Sequence, residues 1–135
     1  MRKKIFISQK IPEAGINYLK ENKIEVDVNY STKPLKKEEL ILRSKDCKAI
    51  ITLLSDIIDK EVIDALAKNG VKGICNYAVG YNNIDVNYAK EKNIYVTNTP
   101  DVLTNTTAEL AWALLFAAAR RIVEAHKFIE ARKFT

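Results

Sequence analysis

Five short runs of β-branched and aromatic residues alternate with segments whose apolar residues recur at helical spacing. That alternation leaves the chain few possible folds. The runs are Lys4-Ile5-Phe6-Ile7-Ser8, the alternating Ile24 to Val28 stretch, Ala49-Ile50-Ile51-Thr52, Val71-Lys72-Gly73-Ile74-Cys75 and Ile94-Tyr95-Val96-Thr97. Apolar runs of this length bounded by turn signals read as buried strands, and the alternating Ile24 to Val28 stretch as a half-buried one. Strict βα alternation predicts an open parallel sheet with helices on both faces.

The intervening segments carry their own punctuation. Ile11, Ala14, Gly15, Tyr18 and Leu19 fall on one expected helical face, with Pro12 suited to the first turn. A turn is expected over residues 31–34, then a helix over 36–45 with Leu40 and Ile41 facing in. Asp59 is placed to cap a helix whose inner face is Val62, Ile63 and Leu66, and Gly70 stands where that helix would stop. Asp85 caps a short helix running through Lys92.

Asn98-Thr99-Pro100 interrupts the pattern, because a residue before proline avoids the helical region. Thr106 and Glu109 have the spacing of a capping box. A helix from Thr107 to Arg132 would span about 39 Å at ~1.5 Å per residue. Residues 110–119 are apolar on every side, which demands cover. A second domain, a second subunit or both would supply it, and a homodimer is expected. Trp112 reads equally as an interface anchor or as ordinary packing.

Composition narrows the function classes. Hydrophobic residues at 47% and charged residues at 29% describe a soluble globular chain, and its 135 residues suit one ordinary domain that needs no disulfide or metal to fold. The net charge of +5 is spread along helices without a motif or an aromatic–basic stripe, so no nucleic-acid partner is expected. Cys47 and Cys75 lack a C-x-x-C arrangement and only His126 could join them, so no metal is expected. No apolar signal-peptide core follows the N-terminus, and no run is long enough for a bilayer. A cytoplasmic protein without a membrane partner is the expectation.

Ligands of open α/β sheets bind at the carboxyl ends of strands. Four such ends carry Ser8-Gln9, Leu53-Leu54-Ser55, the segment from Asn76 to Asp85, and Thr97-Asn98. Ala78-Val79-Gly80 is the best candidate for a carboxylate site, since glycine permits close approach and successive free N–H groups form an anion-binding concavity. A tight turn at Gly80, with Asn82 and Asn83 in unusual backbone conformations, explains the same residues, and on residue chemistry alone it has the stronger claim.

The stretch Tyr77-Ala78-Val79-Gly80-Tyr81-Asn82-Asn83-Ile84-Asp85 resembles the corresponding loop of glyoxylate and hydroxypyruvate reductases, members of the D-isomer-specific 2-hydroxyacid dehydrogenase family. Ile11-Pro12-Glu13-Ala14-Gly15, Ile51-Thr52-Leu53-Leu54-Ser55-Asp56, Val96-Thr97-Asn98-Thr99-Pro100 and the segment from Thr107 through Ala125 resemble that family in the same order. The resemblance implies a flavodoxin-like substrate-binding domain over 1–100. A linker and the first long helix of a coenzyme-binding domain would occupy 101–135.

The resemblance also implies hydride transfer between NAD or NADP and a small 2-oxo or 2-hydroxy acid. It assigns substrate binding to Leu53, Val79 and Gly80, and cofactor contact to Val79 and Thr107. Leu53 reads as well as a core leucine, and Thr107 as a helix-capping hydroxyl. The family's Arg, acidic residue and His, and its G-x-G-x-x-G turn, have no counterpart among these residues, so no catalytic residue is assigned and the chain alone is expected to be inactive. His126, on the expected long helix, is no candidate for the catalytic His. The alternative is a non-catalytic module that binds a carboxylate or dimerises through its last helix.

Overall fold

The computed structural model describes residues 4–31 and 33–131. The elements run β1 (Lys4–Ile7), α1 (Glu13–Glu21), β2 (Glu25–Val28), α2 (Lys37–Arg43), β3 (Ala49–Thr52), α3 (Lys60–Lys68), β4 (Gly73–Asn76), α4 (Val86–Glu91), β5 (Tyr95–Thr97), α5 (Thr104–Ala119) and α6 (Ile122–Glu130). The chain divides into two compact units, the first ending at Pro100 and the second beginning at Asp101.

The first unit is an all-parallel five-stranded sheet in the order β2-β1-β3-β4-β5. This is the flavodoxin-like order, in which the direction of winding reverses between β1 and β3. Alternate residues of each strand face opposite sides. Phe6, Ile50 and Ile74 are fully buried and join Leu40 of α2, Val62, Ile63 and Leu66 of α3, and Ala89 of α4 in the larger core. On the other face Ile7 packs with Ile11 and with Ile16 of α1, supported by Val26, Val28 and Ile51. Helices therefore lie on both faces. Tyr95, on the far strand, is 80% exposed.

The caps explain where several helices start. The Asp59 side chain accepts from the Val62 N–H, and the Asp85 side chain accepts from the Tyr88 N–H. Gly70 follows α3 with φ +84°, a conformation that costs glycine little. The Lys37 ammonium bridges to the same Asp59 carboxylate, which sits below its ordinary pKa chiefly because of that hydrogen bond.

Three expectations need correction. In α1 the buried residue is Ile16, while Ala14 and Gly15 are exposed and Tyr18 points outward. A nine-residue helix on a sheet edge buries only a narrow stripe, here Ile16 with Leu19 behind it. The capping box does not form: α5 begins at Thr104, two residues before Thr106, with Leu103 as N-cap and no side-chain cap.

The expected long helix is also two helices. Arg121 adopts left-handed φ 51° and ψ 41°, and the Arg120 N–H bonds back to the Phe116 carbonyl as α5 closes. No glycine or proline marks the break, and Arg is a good helix former, so the pattern continues through a residue where the backbone turns. The expected end near Arg132, the N-terminal residues 1–3 and Thr32 of the expected turn lie outside the described residues. No described helix is long and apolar enough to cross a membrane.

Candidate carboxylate-binding loop

The reversal point between β1 and β3 is closed by the chain itself. Asp56, 2% exposed, lies on the loop after β3. Its Oδ2 accepts from the Ser8 hydroxyl at the end of β1 and from the Leu53 N–H at 2.8 Å. Asp56 Oδ1 is buried without a hydrogen-bond partner among the described residues. This carboxylate staples the carboxyl ends of two neighbouring strands. The open polar edge is displaced toward β4.

Three asparagines organise that edge. Asn76 is buried at the end of β4, where the Thr52 hydroxyl donates to its Oδ1 at 2.9 Å. Its Nδ2 donates to the Gly80 carbonyl at 2.8 Å and to Asn83 Oδ1 at 3.2 Å. Asn83 Nδ2 donates to the carbonyls of Leu53 and Asp56 at 3.1 and 2.9 Å. One chain of amides thus joins the β3 loop, which carries Leu53, to the β4 loop, which carries Gly80. From the segment after β5, the Thr99 N–H donates to the Ala78 carbonyl at 2.9 Å, and Asn98 Nδ2 donates to the Val79 carbonyl at 2.8 Å.

The result is a polarised loop. The carbonyls of Ala78, Val79 and Gly80 are all hydrogen-bonded. The N–H groups of Val79 and Gly80 have no acceptor among the described residues. Unsatisfied N–H groups in succession present a concentrated positive edge suited to a carboxylate. The tight turn is present just after Gly80, with the Ile84 N–H bonded to the Tyr81 carbonyl at 3.1 Å around Asn82 and Asn83, but neither these asparagines nor Gly80 enters the left-handed region. A Cβ on Gly80 would meet only Leu54 Cδ2, at the ordinary contact distance of 3.7 Å. The backbone therefore does not require glycine here.

The structure brings Leu53, Val79 and Gly80 to the carboxyl edge of the sheet. Leu53 is half-buried against the Ile7, Ile11 and Ile16 cluster. Val79 is 37% exposed beside the open amides. A cavity of about 240 Å³ lined by Tyr81, Val86, Val96, Thr97 and Asn98 adjoins the same edge. Thr107 belongs to the second unit, in the first turn of α5, where its N–H bonds to the Leu103 carbonyl. His126 is exposed on α6, 3.5 Å from Glu130. Trp112 is exposed and stacks on Phe116 at 5.7 Å between ring centroids.

Sequence reasoning did not single out Asp56 or Asn76, and it read Asn83 only as a turn residue and Asn98 only as part of a strand end. A signal was available for Asn76 and Thr52. Both stand at strand positions whose side chains face the larger core, and a polar residue there must find a polar partner.

The catalytic-domain family described as D-isomer specific 2-hydroxyacid dehydrogenase matches residues 5–131. The glyoxylate reductase of Thermococcus onnurineus is 48% identical over 129 residues, covering 96% of this chain and 38% of the relative. That of Thermococcus kodakarensis is 50% identical over 128 residues, covering 95% and 38%. The crystal structure of the TT0316 protein from Thermus thermophilus superposes with a TM-score of 0.87 at 36% identity, covering 98% of this chain and 42% of that one. The chain thus spans about two-fifths of the length of the relatives it matches. With the sheet order, the loop and the matched family in agreement, this chain belongs to the D-isomer specific 2-hydroxyacid dehydrogenases.

Proposed function

We propose that these residues anchor the substrate of an NAD- or NADP-dependent oxidoreductase that interconverts a small 2-oxo acid, of the glyoxylate or hydroxypyruvate type, with its D-2-hydroxy acid. The observation that carries the reading is the loop with every carbonyl tied and the Val79 and Gly80 amides open. The substrate carboxylate would accept both N–H groups, and charge-assisted hydrogen bonds of this kind are roughly twice as strong as neutral ones. Two-point anchoring fixes the orientation of the C2 carbonyl, which is the geometric part of catalysis. Leu53 would border the cleft on the β3 side.

The nicotinamide, when bound, supplies or accepts the hydride. The exposed isopropyl group of Val79 offers an apolar surface that fits one edge of such a ring; the role of Thr107, in the first turn of α5, rests on the family resemblance alone. The side chains that tie the loop's carbonyls and join it to the β3 loop are the carboxamides of Asn76, Asn83 and Asn98, which do not titrate, so they anchor and orient but transfer no proton. A polypeptide of these 135 residues is therefore expected to bind carboxylate without turning it over.

The test is a coupled one. The protein produced from the whole gene should oxidise NADH or NADPH when given glyoxylate or hydroxypyruvate. Absence of turnover with any small 2-oxo acid would contradict the enzymatic reading.

A second reading, a dimerising module, is favoured by one observation. No residue of α5 is buried, and Leu110, Trp112, Leu114, Leu115 and Phe116 are all more than half exposed. Apolar surface of this extent marks an interface. A homodimer through α5 predicts association at micromolar concentration in sedimentation, and a monomer would contradict it.

A further inference from the structure

Each open amide of the loop belongs to a peptide whose carbonyl is held from the segment just after β5. A trans peptide is planar, so its C=O and N–H point in opposite directions. The Val79 N–H shares a peptide with the Ala78 carbonyl, which the Thr99 backbone N–H holds at 2.9 Å. The Gly80 N–H shares a peptide with the Val79 carbonyl, which the Asn98 side chain holds at 2.8 Å. One of the two open amides is thus set by main chain, and the other by a single removable side chain.

We propose that Asn98 is a positioning residue for the carboxylate site: by holding the Val79 carbonyl it turns the Gly80 N–H outward to the substrate. The proposal rests on the carboxylate reading above. Asn98 itself touches no reacting atom. It acts through one peptide plane, and that gives it a signature a general structural role lacks. Its loss releases the Val79–Gly80 peptide while Thr99 still holds the Ala78–Val79 peptide. Asn76 does not substitute for it, because Asn76 holds the Gly80 carbonyl and so orients the next peptide along.

The residue type suits the role. A carboxamide at this position donates to a carbonyl without bringing charge near the anion. An aspartate of the same shape would place an acceptor against the Val79 carbonyl and a negative charge beside the site. A serine hydroxyl would stop short of the carbonyl.

The experiment is a titration of the isotopically labelled 135-residue protein with oxalate, a stable planar dicarboxylate, followed at the individual amides by NMR. In the unaltered chain the Val79 and Gly80 amides should both shift on binding. In Asn98→Ala the Gly80 response should be lost while the Val79 response persists, with affinity falling on the order of ten-fold. Asn98→Ser provides a second variant with the same expected split, and urea unfolding midpoints of both variants should match the parent.

Equal responses at the two amides in the variants, or loss of both together, would overturn the positioning role. If the unaltered chain responds at neither amide, the carboxylate reading itself fails and the role of Asn98 falls with it. The two failures are therefore distinguishable.

Discussion

The two units handle apolar residues in opposite ways. In the first, α3 carries Val62, Ile63 and Leu66 on one stripe, all fully buried against the sheet, and an Asp59 cap fixes where the helix begins. In the second, α5 is apolar all round over residues 110–119, has no side-chain cap and buries none of its residues. The same residue types therefore mean different things in the two regions. In α3, patterning makes apolar residues the source of local stability. In α5 their number exceeds what any one face could use, which is the mark of a surface awaiting cover.

The largest test of that contrast is a paired truncation. Leu66→Ala, in the core of the first unit, should destabilise the chain by about 2–5 kcal/mol through lost burial and the cavity left behind. Leu114→Ala, on α5, should change it by less than about 0.5 kcal/mol. Urea unfolding of both variants decides this. Similar losses would mean that α5 is covered within the chain, and the contrast would break.

A smaller effect concerns the staple between β1 and β3. Asp56→Ala leaves the buried Ser8 hydroxyl and Leu53 N–H without their acceptor. The expected cost is about 2–4 kcal/mol, since each buried unsatisfied group costs roughly 1–3 kcal/mol. Asp56→Asn keeps an acceptor oxygen and should cost less than half of that. Equal losses in the two variants, measured by urea unfolding, would show that charge rather than shape matters at this position.

The smallest effect is at the α3 cap. Asp59→Ala should cost about 1 kcal/mol. The Lys37 ammonium holds the Asp59 carboxyl below its ordinary pKa in the folded chain. A depressed carboxyl contributes stability that is present above its unfolded pKa, near 4, and is lost as pH falls through the lower folded value. Asp59→Asn should therefore flatten part of the acid limb of the stability profile and leave the profile between pH 6 and 8, approximately, unchanged in shape. An unaltered acid limb in the variant would remove the pair from the account.

How far the sequence announced these regions follows from the same contrast. The strands, α3 and its cap were legible because burial and capping leave periodic and local signs: Val62, Ile63 and Leu66 repeat at helical spacing, and Asp59 stands before them. The inner stripe of α1 was misplaced because Ala14, Gly15 and Tyr18 also suit helical spacing, and only packing shows that Ile16 faces in. The break at Arg121 left no sign, since arginine enters the left-handed region here without a glycine to announce it. At the candidate site, Val79 and Gly80 were reached through resemblance. The asparagines that organise their loop were not, because most of their partners are backbone carbonyls, which leave no trace in residue identity; Asn76, paired with the Thr52 hydroxyl, is the exception.

The central claim is that the Val79 and Gly80 amides are kept open for a carboxylate, and Gly80→Ala tests it most directly. Gly80 has an ordinary backbone conformation and room for a Cβ, so alanine should leave stability unchanged or raise it by about 0.4–1 kcal/mol. The added methyl would occupy space beside Leu54 and the open amides. The measurement is oxalate affinity of the 135-residue chain alongside its urea stability. The account predicts a variant at least as stable as its parent with affinity reduced by roughly ten-fold or more, as expected for loss of about 1.4 kcal/mol of binding. Undiminished affinity, or a variant that unfolds more easily, would contradict it.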